Sequence, residues 1–384
     1  MKIPSVGTAW FAKFLLLLLL PADALQAQFT FVTNNGAITI TGYGGPGGAV
    51  VIPSSTNGLP VTSIGDGAFY RPSYNYSLTS VTIPDGVTYI GSYAFGNQLG
   101  LTSVVIPSSA TNIGGFAFYY CSSLTSVAIP DGCTSIWPRT FYFCTGLTSV
   151  TLPNSITSIG EFAFHDCYSV TNLTIPSGVT NIGDGAFEAC FKVGNFTIPN
   201  GVPNIGGFTF NRCTSLANIT IPNTVTNIGY AAFYSCSSLT NVTLGSGLAN
   251  IGGSAFWNCP NLKAGYSRGN APSLDPDVFV GDNSSTVYYL PGTTGWGPTF
   301  GGRPTAPWLP QVQTSDASFG VRTNQIGFNI AWASGQVVVV EGCTNLANPV
   351  WSPLQTNTLS GDSLYFSDPQ WTNYPARFYH VRSP

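Results

Sequence analysis

Apolar residues return along most of this chain at one fixed step. Ile83, Ile106, Ile129, Leu152, Ile175, Ile198 and Ile221 each precede a proline and stand 23 residues apart, and Leu244-Gly245 continues the series in degenerate form. Ile113, Ile136, Ile159, Ile182, Ile205, Ile228 and Ile251 keep the same step. So do Phe118, Phe141, Phe164, Phe187, Phe210, Phe233 and Phe256, while Ile64 with Phe69 and Ile90 with Phe95 extend both columns to nine. Written as one unit the repeat is C-x-x-L-x-x-V-x-I-P-x-x-V-x-x-I-G-x-x-A-F-x-x. The step lengthens only near its start, where Ile52 to Ile83 spans 31 residues and the extra ones fit loops at one edge of a stack.

The unit predicts its own local structure. In L-x-x-V-x-I the last two apolar residues alternate, so they face one side of a short strand and the residues between them face the other. The proline that follows cannot donate to a ladder and ends that strand. V-x-x-I-G predicts a second short extended segment, and G-x-x-A-F a tight helical turn with Phe inward. A coil this short cannot bury its own apolar side, so neighbouring coils must cover one another. Nine coils stacked at about 4.8 Å give parallel strands in a solenoid roughly 40 Å long, with like side chains in files.

Segments such as "SLTSVAIPDGCTSI" and "SLANITIPNTVTNIGYAAFYSC" resemble the BspA-type leucine-rich repeat of bacterial surface and secreted proteins. The resemblance spans about residues 60–262. It implies a mainly β, leucine-rich-repeat solenoid of about nine 23-residue coils with N- and C-terminal caps. It further implies adhesion, the role with which members of that family are associated.

The ends depart from the step. Residues 28–60, with "AITIT" and "AVVIP" around a Gly-rich turn, suit an N-terminal β cap; residues 61–265 hold the repeats, and 266–310 a degenerate repeat and C-terminal cap. Residues 311–384 carry four or five strand patterns without the step and are expected to form a small β-sandwich-like module. Residues 1–27 have Lys2 and Lys13, then the apolar run Phe14 to Leu20, then small residues. That is the pattern of a secretory signal peptide cleaved after Ala27, which places the chain in the secreted or cell-surface class.

Composition narrows the chemistry. Only 7% of residues are charged and the formal net charge is -3, so the chain lacks an electrostatic footprint for nucleic acid, and no later run is long enough for a membrane span. Cys121, Cys144, Cys167, Cys190, Cys213, Cys236 and Cys259 keep the 23-residue step and form one file. Seven is an odd number, and in-register side chains point the same way, whereas a disulfide needs converging Cβ vectors. The file is therefore expected to be structural buried thiols, and Cys133 to replace an aliphatic core residue. With no C-x-x-C pair and only His165 and His380, no metal or cofactor is expected.

Acidic residues, among them Asp66, Asp166, Asp184 and Glu188, scatter over the turns without a catalytic motif, so no enzyme is expected. The outward strand positions instead make two polar files. Thr151, Asn172, Thr174, Asn195, Thr197, Asn218, Thr220, Asn241 and Thr243 are the candidate ligand-binding face, with Tyr119, Tyr120, Tyr142, Phe143, Tyr168 and Tyr234 as aromatic anchors at its edge. Such a face suits an extracellular protein or glycan. Two alternatives share it: a purely structural surface protein, and ice binding through the Ser/Asn-x-Thr spacing, which Val105 and Ala128 interrupt.

Overall fold

The 23-residue step becomes a stack of coils. A computed structural model describes residues 28–71, 78–171, 173–282, 284–322 and 325–384. The expected signal segment 1–27 with its cleavage at Ala27, and Asn172 of the polar face, lie outside the described residues. The solenoid has about 11 turns among the described residues, two more than the nine expected. The additional turns come from the ends, where Ile40 pairs with Ile64 at the start and Ile251 with Leu274 beyond the last regular Phe.

Each coil contributes two short parallel strands. The first file of strands runs through Ser126–Ala128 and Ser149–Thr151, and again through Asn218–Thr220, Asn241–Leu244 and Ala264–Ser267. The second runs through pairs such as Ser158–Ile159 on Asn181–Ile182 and Asn227–Ile228 on Asn250–Ile251, always in register. The glycine after each Ile lets coils meet closely: a Cβ on Gly160 or Gly183 would stand 2.5 Å from a backbone nitrogen of the preceding coil. Trp137 takes that glycine's place once, and its side chain is 47% exposed.

The first strand file is not continuous. No named strand forms at Thr174 or Thr197, and only an isolated bridge joins Asn195 to Asn218. The core changes at the same place. Phe196 stands where other coils have Val, Ile or Leu, and its ring packs 4.9 Å from Phe187 and 4.7 Å from Phe210. This extra ring fills the core beside the break, where the Phe164–Phe187 and Phe187–Phe210 centroids stand 5.9 and 5.7 Å apart.

The G-x-x-A-F segment is not the helical turn expected. Among the described residues the only helical element is a 3-10 turn, Trp371–Asn373. Instead backbone donors alternate: Ala94 N–H donates within its coil to Gly91 O at 3.2 Å, and Phe95 N–H donates across to Ala117 O at 2.8 Å. This requires two left-handed residues per coil. Tyr93, Phe116, Arg139, Phe162, Gly185 and Phe208 form one such file, and Asn97, Tyr120, Phe143 and Asp166 begin the other. A bulky side chain at positive φ is strained, and stacking offsets the strain. Tyr93 lies 4.4 Å from Phe116, and the Arg139 guanidinium sits between the Phe116 and Phe162 rings.

The ends close the stack. Strands Phe29–Asn34 and Ala37–Tyr43 form a hairpin about Asn35-Gly36, both at positive φ, and its second strand pairs in parallel with Leu59–Ile64. At the other end Thr286–Tyr289 and Arg303–Pro307 continue the first strand file. The described residues of 311–384 form seven strands, more than the four or five expected, in two sheets around a separate core that includes Phe328, Ile330, Trp332, Val340 and Phe366.

Candidate functional site

The strand alternation turns Val127, Val150, Ile219 and Val242 into the core and leaves the residues between them outside. Thr151, Thr174, Asn195, Thr197, Asn218 and Thr220 are exposed, whereas Asn241 and Thr243 are half-buried. Asn218 and Asn241 stand in register, as do Thr220 and Thr243, and the amide of Asn241 donates to Oδ1 of Asn218 at 2.9 Å. That carboxamide oxygen also accepts from Thr240 Oγ1 at 3.1 Å, so the ladder fixes its own side chains. Val105, 59% exposed, interrupts the hydroxyl file as the sequence indicates. The file also continues where sequence reasoning stopped: Thr243 pairs in register with Tyr266, and Tyr266 with Tyr288. The signal was the step itself, still 23 from Thr243 to Tyr266.

The aromatic edge is a ladder rather than a set of separate anchors. Tyr119 and Tyr142 stack at 5.6 Å, Tyr120 and Phe143 at 4.4 Å, and Tyr168 meets Phe191 at 4.7 Å. Its charged members come together although the sequence reading left them scattered. His165 Nε2 lies 3.3 Å from Asp166 Oδ2, and His165 Nδ1 lies 3.6 Å from Glu188 Oε2. Asn211 donates to Glu188 Oε1 at 3.1 Å. The signal missed was again the step, since His165, Glu188 and Asn211 stand 23 apart. Other acidic residues stitch coils together: Asp66 Oδ1 accepts from Ser92 N–H at 2.8 Å, and Asp184 Oδ1 from Gly207 N–H at 2.9 Å.

Burial, with the Asp166 charge adding and Arg212 opposing, pushes the Glu188 carboxyl up to about 7 from its ordinary 4.5. The folded chain thus holds this proton more tightly than the unfolded one, so stability is greatest below the ordinary value and falls as pH rises toward 7. His165 is shifted down, chiefly by burial, against the pull of Asp166 and Glu188, and its contribution runs the other way. Glu188→Gln is therefore expected to raise the unfolding free energy at about pH 8 by about 2 kcal/mol, with a higher melting midpoint, and to leave both nearly level at about pH 4. Thermal melts at the two pH values check this, and an equal effect at both would refute it.

The seven cysteines of the file are fully buried, and each thiol points at the carbonyl of the Phe 26 positions earlier. Cys121 Sγ lies 3.2 Å from Phe95 O, Cys190 Sγ 3.3 Å from Phe164 O, and Cys259 Sγ 3.2 Å from Phe233 O. Cys133 is buried against Ala110 O, and no disulfide is formed among the described residues. A second polar file, outside the candidates, lies on the other strand sheet. There Asn250 donates to Asn227 Oδ1 at 2.9 Å, and a concavity of about 610 Å³ opens beside Trp137, Glu161, Asn181 and Asp184.

Comparison with known proteins agrees with this architecture. Residues 62–194 and 180–293 match the BspA type leucine-rich repeat region in six copies. A leucine-rich repeat protein from Bacteroides ovatus is 26% identical with a TM-score of 0.51, the match covering 68% of this chain and 70% of that one. A leucine-rich cell surface protein from Faecalibacterium prausnitzii is 29% identical, over 68% of this chain and 93% of that one, with a TM-score of 0.40. The pneumococcal vaccine antigen PcpA is 18% identical, over 69% and 86%, with a TM-score of 0.47. Among curated proteins none matches. With the repeat matched over more than half its length, the chain belongs to the BspA-type leucine-rich repeat family.

Proposed function

We propose that this chain is a non-catalytic binding or adhesion module, secreted or held at a bacterial cell surface, which recognises an extracellular protein or polysaccharide through its repeat face. The observation that carries the reading is the uncharged file of exposed Asn195, Thr197, Asn218 and Thr220 continued by half-buried Asn241 and Thr243, in which Asn218 and Asn241 are tied side chain to side chain. A regular row of amide and hydroxyl groups makes many weak, directional contacts with a polymer of matching repeat and few with a small molecule. Family membership and the signal-like segment 1–27 support the location.

The test is a binding screen of the chain against glycans and extracellular-matrix proteins, with the double variant N218K/T220K as control. Binding tighter than about 100 µM, roughly 5.5 kcal/mol, that the double variant weakens at least tenfold is the expected result. No ligand at that level would leave a purely structural role. Ice binding, the alternative, calls for a flat lattice of hydroxyls; the break in the strand file at Thr174 and Thr197 and the apolar Val105 work against one. Thermal hysteresis with faceted ice crystals would favour it.

A further inference from the structure

The hydroxyl file ends in a cleft of different chemistry. Thr243 is followed in register by Tyr266 and Tyr288, whose rings stack at 5.3 Å and 18°. Their strand neighbours Gly265 and Val287 are the buried ones, so the two tyrosines face away from the solenoid core. Trp308 stands 4.8 Å from Tyr266 at 45°, and across the opening Arg268 meets Asp362 at 3.3 Å. Together with Gln311 and Gln313 these residues surround a space of about 540 Å³ between the last coils and the C-terminal module.

If the rings served only to glue the module to the solenoid, that space would be filled. It falls instead within the range of about 300–1,000 Å³ of small-ligand sites, with the mix of aromatic wall and few polar groups that such sites have. The polar groups narrow the class of ligand. Arg268 and Asp362 cancel in charge, and an anionic ligand reaching the guanidinium would meet the carboxylate, which is 79% exposed. Paired donor and acceptor groups of this kind fit neighbouring hydroxyls, which both give and accept hydrogen bonds. Tyr266 backs one face of the Tyr288 ring, and the other face, whose next in-register neighbour is the small Ala306, fits the apolar C–H face of a pyranose. A proline-rich segment is the less suitable occupant: its prolines offer only carbonyl acceptors, which leave the exposed Asp362 carboxylate without a donor.

We propose that this cleft binds a hexose segment of a neutral polysaccharide, with a sugar ring on Tyr288, which Tyr266 backs, and its hydroxyls on Arg268 and Asp362. The assignment deepens the reading of the repeat face as a binding surface and rests on it: a polymer seated in the cleft continues along the file from Thr243 toward Thr220 and Thr197.

Titration of the full chain with cello-, xylo-, laminari- and mannohexaose, followed by calorimetry and tryptophan fluorescence, tests it. At least one is expected to bind and to change the emission of the Trp308 environment. Tyr266→Thr and Tyr288→Thr, which install the residue the file carries elsewhere, are each expected to weaken binding about tenfold or more, and Asp362→Asn several-fold, with the melting curve of Asp362→Asn unchanged. Sugar binding that survives Tyr266→Thr and Asp362→Asn but is lost in N218K/T220K would overturn the cleft and keep the repeat face. Failure of every hexasaccharide, with matrix-protein capture retained, would do the same. A proline decamer that binds in place of sugar, with loss in Tyr266→Thr, would overturn the sugar assignment. Loss of all capture and all sugar binding overturns both readings.

Discussion

Phe141→Ala is expected to cost about 3–5 kcal/mol and to split the unfolding transition in two. The Phe141 ring is fully buried between Phe118, 5.5 Å away at 1°, and Phe164, 5.4 Å away at 7°. Removing it leaves a void that no flexible side chain fills, since its file neighbours are locked by the same stacking on their far sides. In a solenoid each coil touches only the coils beside it, so the loss falls on one interface rather than on a shared core. The N-terminal coils and the C-terminal coils should then melt separately. Hydrogen exchange is expected to show lost protection centred on Phe118 to Phe164, with Cys213 to Leu262 still protected. Phe141→Leu, which refills most of the volume, should restore a single transition at a cost below about 1.5 kcal/mol. A single transition in Phe141→Ala, with loss below about 1 kcal/mol, would show that the Phe file is not the coupling element.

The Phe file was legible because burial demands the same residue type at the same place in every coil, and a strict step displays that demand directly. The outward files were legible for the same reason, as alternation fixes which residues of Ser149–Thr151 or Asn218–Thr220 face water. Four features escaped. Most of the left-handed positions in the turn segment carry Tyr, Phe, Arg, Ala or Ser, residue types that give no hint of positive φ; Gly67 and Gly185 in one file, and Asn97, Asp166 and Asn258 in the other, betray them. The break in the strand file coincides with one ring, Phe196, at a column that otherwise reads as an ordinary apolar position. His165 and Glu188 looked isolated along the chain, yet equal spacing in a solenoid means adjacency, so their proximity was written in the step and overlooked. Tyr266 and Tyr288 were hidden because the core columns decay before the outward file does.

In the native chain the thiols are expected to resist alkylation at about pH 8 by at least about a thousandfold relative to the denatured chain. Burial pushes Cys121, Cys213 and Cys259 up to about 12 and holds Cys144, Cys167, Cys190 and Cys236 well above their ordinary value, each raised further where a neighbouring thiol of the file adds its charge. A thiol at about 12 is ionised in roughly one molecule in ten thousand at that pH, and only the thiolate attacks. The backbone carbonyl that each Sγ–H addresses adds a second restraint, because forming a disulfide between neighbouring coils would take two such hydrogens away and turn two parallel Cβ vectors toward each other. Denaturation removes both barriers at once, and all nine cysteines should then titrate. An oxidising compartment makes the test severe, since exposed pairs in such surroundings would close. Three or four thiols missing after denaturation, or rapid labelling of the native file, would mean that the coils open often enough to bring these sulfurs together. The cysteine column would then act as a set of cross-links rather than as small core residues.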